Sequence, residues 1–133
     1  MAIDSALHIP SLNGFPGPFV KQITKWIGPE GYIRLLDGKH GEDRRAMFID
    51  AIACMSPQQG PRIFLRKVWG IIDSRVWEGS GGTGKSAMDY IFIPQGASKA
   101  LIAMDADELA TFRSSTTVEK IYHDVAHWFL QAT

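Results

Sequence analysis

The stretch Asp4-Ser5-Ala6-Leu7-His8-Ile9-Pro10-Ser11-Leu12-Asn13-Gly14-Phe15-Pro16-Gly17-Pro18-Phe19-Val20-Lys21 decides how the chain is read. Residues 2–9 have the pattern of a short strand, stopped at Pro10, which has no N–H to give to a ladder. Residues 10–18 hold three prolines and two glycines, the composition of a structured loop. A helix is expected from about Gly17 to Ile27. Its apolar residues Phe19, Val20, Ile23, Trp26 and Ile27 share one face at roughly 100° per residue, with Lys21, Gln22 and Lys25 outside it. Gly28 ends this helix, Pro29-Glu30 opens a second through Tyr32, Ile33, Leu35 and Leu36, and Gly38 closes it.

Further along, Lys39 to Arg45 form a polar connection, and three strands are expected at about 46–55, 62–69 and 70–77. The joints Pro57-Gln58-Gln59-Gly60 and Gly70 favour antiparallel hairpins. A glycine-rich segment, 79–84, precedes another strand, Asp89-Tyr90-Ile91-Phe92-Ile93, stopped by Pro94. Asp105 or Asp107 caps a helix over 106–112. One of Ser115, Thr116 and Thr117 caps a last helix that ends near Leu130. There is no internal repeat.

The totals are those of one globular domain: 133 residues, 45% of them hydrophobic. Fourteen basic and fourteen acidic residues cancel, so net charge gives no general attraction to nucleic acid or an anionic membrane, and no nucleic-acid partner is expected. Cys54, the single cysteine, excludes an internal disulfide and sits among apolar neighbours as a small core residue. No run approaches the ~20 apolar residues of a membrane span, and no basic and apolar leader stands at the N-terminus. The expectation is a cytoplasmic protein with no membrane partner.

The opening stretch resembles the central segment of the inosine triphosphate pyrophosphatase family, whose members split ITP, XTP and dITP into the monophosphate and pyrophosphate. There an Asp-Ser/Thr-x-Leu strand leads into Leu-Asn/Gly-Gly-x-Pro-Gly-Pro and a helix. Later segments follow in the family's order: Ala46 to Met55 at its Tyr-Ala strand, 62–78 at its hairpin, Asp89 to Gly96 at its Asp-Pro-Ile-Phe-x-Pro-x-Gly, and Ala103-Met104 with Glu108 near its Ala-Glu-Met stretch. The resemblance implies an α/β fold, a mixed and curved sheet with flanking helices, lacking the family's N-terminal portion. It also implies a nucleotide ligand, Mg²⁺ and a homo-oligomer, most simply a dimer. A separate chain supplying the missing half is a further partner consistent with it.

Carried over residue by residue, the family's motifs arrive altered. Its Glu-Asp pair holds metal and activates water; here Ile3 replaces the Glu and leaves Asp4, read either as a weak Mg²⁺ ligand and water-orienting carboxylate or as a strand-end cap. Its Phe-Gly-Trp-Asp base site becomes Ser86-Ala87-Met88-Asp89, leaving Asp89 to bind the base or ribose, or to cap a turn, with Met88 partly replacing an aromatic contact. Its Ser-His-Arg becomes Arg113-Ser114-Ser115, and its preceding Lys becomes Leu109, with Arg113 the residue that would compensate. The Thr-Gly-Asn triphosphate loop would precede Met1. Lys21 and Lys85 are then the lysines that approach phosphate. Two readings follow: a diverged nucleotide-binding or Mg²⁺-dependent triphosphate-hydrolysing protein, and a non-catalytic oligomeric binding module on the same fold.

Two motifs are set aside by context. Gly79-Ser80-Gly81-Gly82-Thr83-Gly84-Lys85-Ser86 fits the phosphate-loop pattern in full, yet such a loop needs a helix after it and a strand pattern follows. Lys85 is left either touching a phosphate from a closing loop or standing on a plain hairpin loop. His123-Asp124-Val125-Ala126-His127 mimics a zinc-binding helix, but Val118, Ile121, Tyr122, Val125 and Phe129 define the core face and put both histidines on the solvent side. The tryptophans are read as mostly core, with one face of the Trp69–Trp77 ribbon exposed.

Overall fold

A computed structural model describes residues 2–81, 86–115 and 118–131, with the side chains of 113–122 left out of the description. The five strands are β1 (Ala2–His8), β2 (Pro16–Gly17), β3 (Arg45–Ser56), β4 (Gly60–Ile72) and β5 (Phe92–Pro94). They form one sheet in the order β2-β1-β3-β4-β5. The helices are α1 (Val20–Leu35), α2 (Ala106–Ser115) and α3 (Val118–Gln131). The α/β architecture expected from the sequence is the one observed. The described strands pair antiparallel throughout, so the mixed character expected of the sheet does not extend to them.

Register assigns the faces. Ser5 stands opposite Asp50 and Asp50 opposite Arg66; Leu7, Phe48 and Val68 form the next row on the same side. Alternation along each strand sends Asp4, Ala51 and Leu65 to the reverse face. The first face is covered. Leu7, Ile9, Ala46, Ile72 and Phe92 bury there with Val20, Tyr32 and Leu36 of the α1 segment and with Met88 and Ile91. At the far end of the hairpin, Val125 and Trp128 of α3 close over Ile52 and Cys54, with Phe64 edge-on to Trp128 at 6.1 Å. Cys54 is thus the buried core residue that its neighbours implied.

Gly28 divides α1. Its φ of 66° and ψ of −179° are open to glycine and costly for other residues, and Pro29 begins the second half where a missing N–H is harmless. The two halves are the helix pair read from the sequence. Tyr32 of the second half is fully buried, and its hydroxyl meets Thr24 of the first at 2.9 Å. Burial pushes the Tyr32 phenol above its ordinary pKa, the Thr24 hydrogen bond pulling the other way. Below the helix, the Arg44 guanidinium is buried among backbone carbonyls, those of Leu36 and Asp73 at 2.8 Å and Ile72 at 2.7 Å. It ties the end of α1 to the end of β4 and satisfies a carbonyl the helix leaves open.

Several boundaries move. β4 runs unbroken through Gly70, where hairpin strands 62–69 and 70–77 were expected to meet. Gly70 is there for contact rather than for a turn: a Cβ on it would stand 2.4 Å from the Phe92 ring and 2.5 Å from the Ile93 carbonyl. Residues 73–77 leave the sheet as a turn organised by the Asp73 carboxylate, which accepts from Ser74 N and from Trp77 Nε1, both at 2.7 Å. Arg75 stacks on the Trp77 ring at 3.8 Å. The strand expected at 89–93 is a 3₁₀ turn, Ala87–Tyr90, followed by β5. Trp26 is 79% exposed rather than core. Trp26 and Phe19 lie at one margin of the helix's apolar arc, and the side turned inward centres nearer Val20 and Thr24. On α3 the inward pair is Val125 and Trp128, and Phe129 is partly exposed; Val118, Ile121 and Tyr122 lie outside the side chains described.

Candidate functional site

Between the covered face of the sheet, the first half of α1 and the 3₁₀ turn lies a cavity of about 600 Å³. Its size falls in the range of small-molecule sites. α1 contributes Lys21, Thr24 and Lys25, the turn contributes Met88 and Asp89, and the sheet contributes Ser5, Asp50 and Arg66. Phe48, Val68 and Phe92 form an apolar floor, with the Phe48 and Phe92 rings edge-to-face at 4.9 Å. The lining therefore joins apolar surface to three cations and two carboxylates.

Lys21, Met88 and Asp89 were named from the sequence, and the fold brings all three to this cavity. Lys21 was read as outside the apolar face of its helix, and that flank is the one that looks into the cavity. Met88 and Asp89 are buried, on a turn whose second N–H is held by the Ser86 hydroxyl, Met88 N donating to Ser86 Oγ at 3.3 Å. Asp4 is set apart. It is exposed, pairs with Ala51, and by strand alternation stands on the reverse face while Ser5 faces the cavity. Lys85 and the side chain of Arg113 lie outside the described residues.

The residues missed by sequence reading are Asp50, Arg66 and Ser5. Asp50 is clamped from both sides along one row of the sheet. Ser5 Oγ donates to Asp50 Oδ1 at 2.7 Å, and Arg66 Nη2 donates to Asp50 Oδ2. Nothing in a single strand announces this triad, because it exists only once the register across three strands is known. The signal available was a polar residue at an inward position of each strand, opposite in charge on β3 and β4.

Magnesium is the ion that the family resemblance implies. It is commonly held by one or two carboxylates together with substrate phosphates. Asp4 stands on the wrong face for this cavity, both Asp50 oxygens are engaged, and no cluster of three metal-ligating side chains occurs among the described residues. A Mg²⁺ ion at this cavity would therefore rest on substrate phosphates together with Asp89, the other carboxylate of the lining. His123 and His127 are exposed on α3 with their rings stacked 6.4 Å apart, as the solvated-face reading requires. The glycine-rich segment leads into the four-residue 3₁₀ turn and not into an α-helix, so the described part lacks the helix terminus that a phosphate loop uses.

The chain has known relatives. The Ham1 family matches residues 1–114. This chain belongs to the Ham1 family. Within the family it is 44% identical over 96 residues to the dITP/XTP pyrophosphatase of Korarchaeum cryptofilum, which covers 72% of this chain and 48% of that one. With the dITP/XTP pyrophosphatase of Methanopyrus kandleri it shares 32% identity over 126 residues, 95% of this chain and 62% of the other. This Ham1 chain thus spans about half the length of the first relative and under two thirds of the second. The HAM1 protein of Coxiella burnetii superposes with a TM-score of 0.73 at 21% identity, covering 98% of this chain and 66% of that one. The Staphylococcus aureus Ham1 protein gives 0.67 at 19%, covering 98% and 65%. These two likenesses establish the Ham1 fold for the chain. No helix among its described residues is long and apolar enough to cross a membrane.

Proposed function

We propose that the cavity binds a purine nucleoside triphosphate of the dITP/XTP kind and that the chain is a diverged member of a pyrophosphatase family. The carrying observation is that Lys21, Met88 and Asp89 line one cavity of about 600 Å³, a cation at one wall and a buried carboxylate at another. In this reading Asp89 accepts from base or ribose donors, Met88 covers an apolar face of the base, and Lys21 approaches phosphate. Hydrolysis to monophosphate and pyrophosphate is the reaction that the relatives' names support for the chain.

Thermal shift of the purified chain against ITP, XTP, dUTP, ATP and GTP, with and without Mg²⁺, tests this. A ligand that binds only the folded state stabilises it by about 2.7 kcal/mol at a hundredfold excess over its dissociation constant. A shift specific to ITP or XTP supports the reading, and pyrophosphate release is then assayed on the same samples. No shift with any nucleotide overturns it.

A second reading, a non-catalytic oligomeric module, is favoured by the reverse face of the sheet. Met55, Ile63 and Leu65 stand there 65%, 65% and 55% exposed. The outer edge of β1 pairs with β2 at Leu7 and His8, leaving Ala2 to Ala6 without a neighbour on that side among the described strands. Self-association, most simply as a dimer, would cover both. Sedimentation across a concentration series tests it; a monomer at every concentration removes it.

A further inference from the structure

We infer that Arg66 is the anion anchor of the cavity, a second cationic contact that, with Lys21 and Lys25, receives the phosphates of a phosphorylated ligand. The inference rests on the nucleotide reading above and assigns the part of the ligand that this row of the sheet would hold. Arg66 lines the cavity, and its guanidinium is oriented before any ligand arrives. One edge is fixed on Asp50 Oδ2, and Asp50 is itself fixed by the Ser5 hydroxyl. A clamped guanidinium keeps its fork geometry and loses less freedom on binding than a loose lysine would.

The Arg66 side chain stays 23% exposed at the cavity while Asp50 engages one of its nitrogens, so the guanidinium keeps donors for a phosphate oxygen, the acceptor that best fits it. Lys21 and Lys25 line the same cavity, and no described acidic side chain forms an ion pair with either. The charges of Asp50 and Arg66 cancel, so Lys21 and Lys25 set the sign of this wall. Arg66 and the Met88–Asp89 turn line the same cavity, and Val68, next to Arg66 on that face, pairs with Phe48, whose ring meets Phe92 at 4.9 Å, so one ligand can reach both ends.

Isothermal titration of the full chain with XTP, inorganic triphosphate and unphosphorylated xanthosine provides the test, on the native protein, on Arg66→Gln and on the double variant Asp50→Asn, Arg66→Gln. The double variant removes both charges together and guards against a fold lost to an unpaired Asp50. Loss of one charge-assisted contact is expected to weaken XTP and triphosphate by about 10- to 100-fold and to leave xanthosine unchanged. In the native protein, the Arg66 Nε–H resonance should shift on addition of triphosphate and stay in place with xanthosine. Equal XTP and triphosphate affinities in native and double-variant protein overturn the anchor while leaving nucleotide binding standing. Triphosphate bound through Arg66 with no gain from the base sustains the anchor and sinks the nucleotide reading. Failure of triphosphate to bind the native protein overturns the anchor outright.

Discussion

Arg44 Nη1 donates to the Leu36 carbonyl at 2.8 Å, joining a buried cation to the last turn of a helix eight residues earlier in the chain. The same guanidinium reaches Ile72 and Asp73, so one side chain closes α1, the polar connection and β4 on each other. Arg44→Met keeps the stem and strands these carbonyls without a donor. The expected loss is about 2–4 kcal/mol of folding stability, read as a lower urea midpoint at unchanged slope.

Gly70 offers a steric counterpart. Gly70→Ala drives a methyl into the Phe92 ring and the Ile93 carbonyl, of which the carbonyl belongs to a paired strand and cannot swing away. A cost of about 1–3 kcal/mol is expected from the resulting overpacking. Gly38→Ala meets no atom within 4 Å, although its φ of 78° disfavours a side chain, so it serves as a control for backbone strain alone. A Gly70→Ala melting temperature equal to that of the native protein would refute the packing account.

The first turn of α2 should respond to pH at both ends. Asp105 and Glu108 form a reciprocal capping box: Glu108 N donates to Asp105 Oδ1 at 2.8 Å, and Asp105 N to Glu108 Oε1 at 3.2 Å. The Glu108 backbone N–H holds the Asp105 carboxyl below the usual aspartate range. Its stabilisation is present above that range and is lost as pH falls through the lowered folded value. Lys99, bonded to Glu108 at 2.9 Å, is held above the usual lysine range by that hydrogen bond. Its stabilisation is present below the lysine range and fades as pH rises through the raised value. Protection factors of the α2 amides should therefore be highest between the two, and Asp105→Asn should flatten the acid limb while sparing the alkaline one.

Asp89 and Asp4 are separated by a simple comparison. Asp89→Asn should weaken XTP binding roughly tenfold or more, since a buried acceptor in the cavity is replaced by a group that also donates. Asp4→Asn, on the reverse face, should leave XTP affinity within about twofold, because a surface carboxylate outside the cavity contributes little. A large loss in Asp4→Asn would return that carboxylate to the site.

Much of the fold could be read from short-range chemistry. Pro10 and the Gly28-Pro29 break are local signals that lie where the sequence places them, and of the two offered caps Asp105 is the one used, whereas Pro16-Gly17, read as loop, pairs with β1 as β2. What escaped was set by partners distant in sequence. Gly70 reads as a joint until Phe92 is seen against it. Asp73 reads as a strand residue until its carboxylate gathers Ser74 and Trp77. The site divides in the same way. Lys21, Met88 and Asp89 came from motifs, whereas Asp50 and Arg66 needed the register of two strands. Asp4 was carried by the motif alone, which does not say to which side of the sheet a residue points.

The break at Gly28 gives α1 two separable tasks. Its first half supplies the cavity wall through Lys21, Thr24 and Lys25, and its second half plugs the interior through Tyr32. The Thr24–Tyr32 hydroxyl contact is the thread between them. A lineage can therefore rewrite Lys21 and Lys25 to accept a new ligand while Val20, Ile23, Ile27 and the plug keep the domain folded. Selection for altered specificity and selection for stability then act on different faces of one element and need not trade against each other.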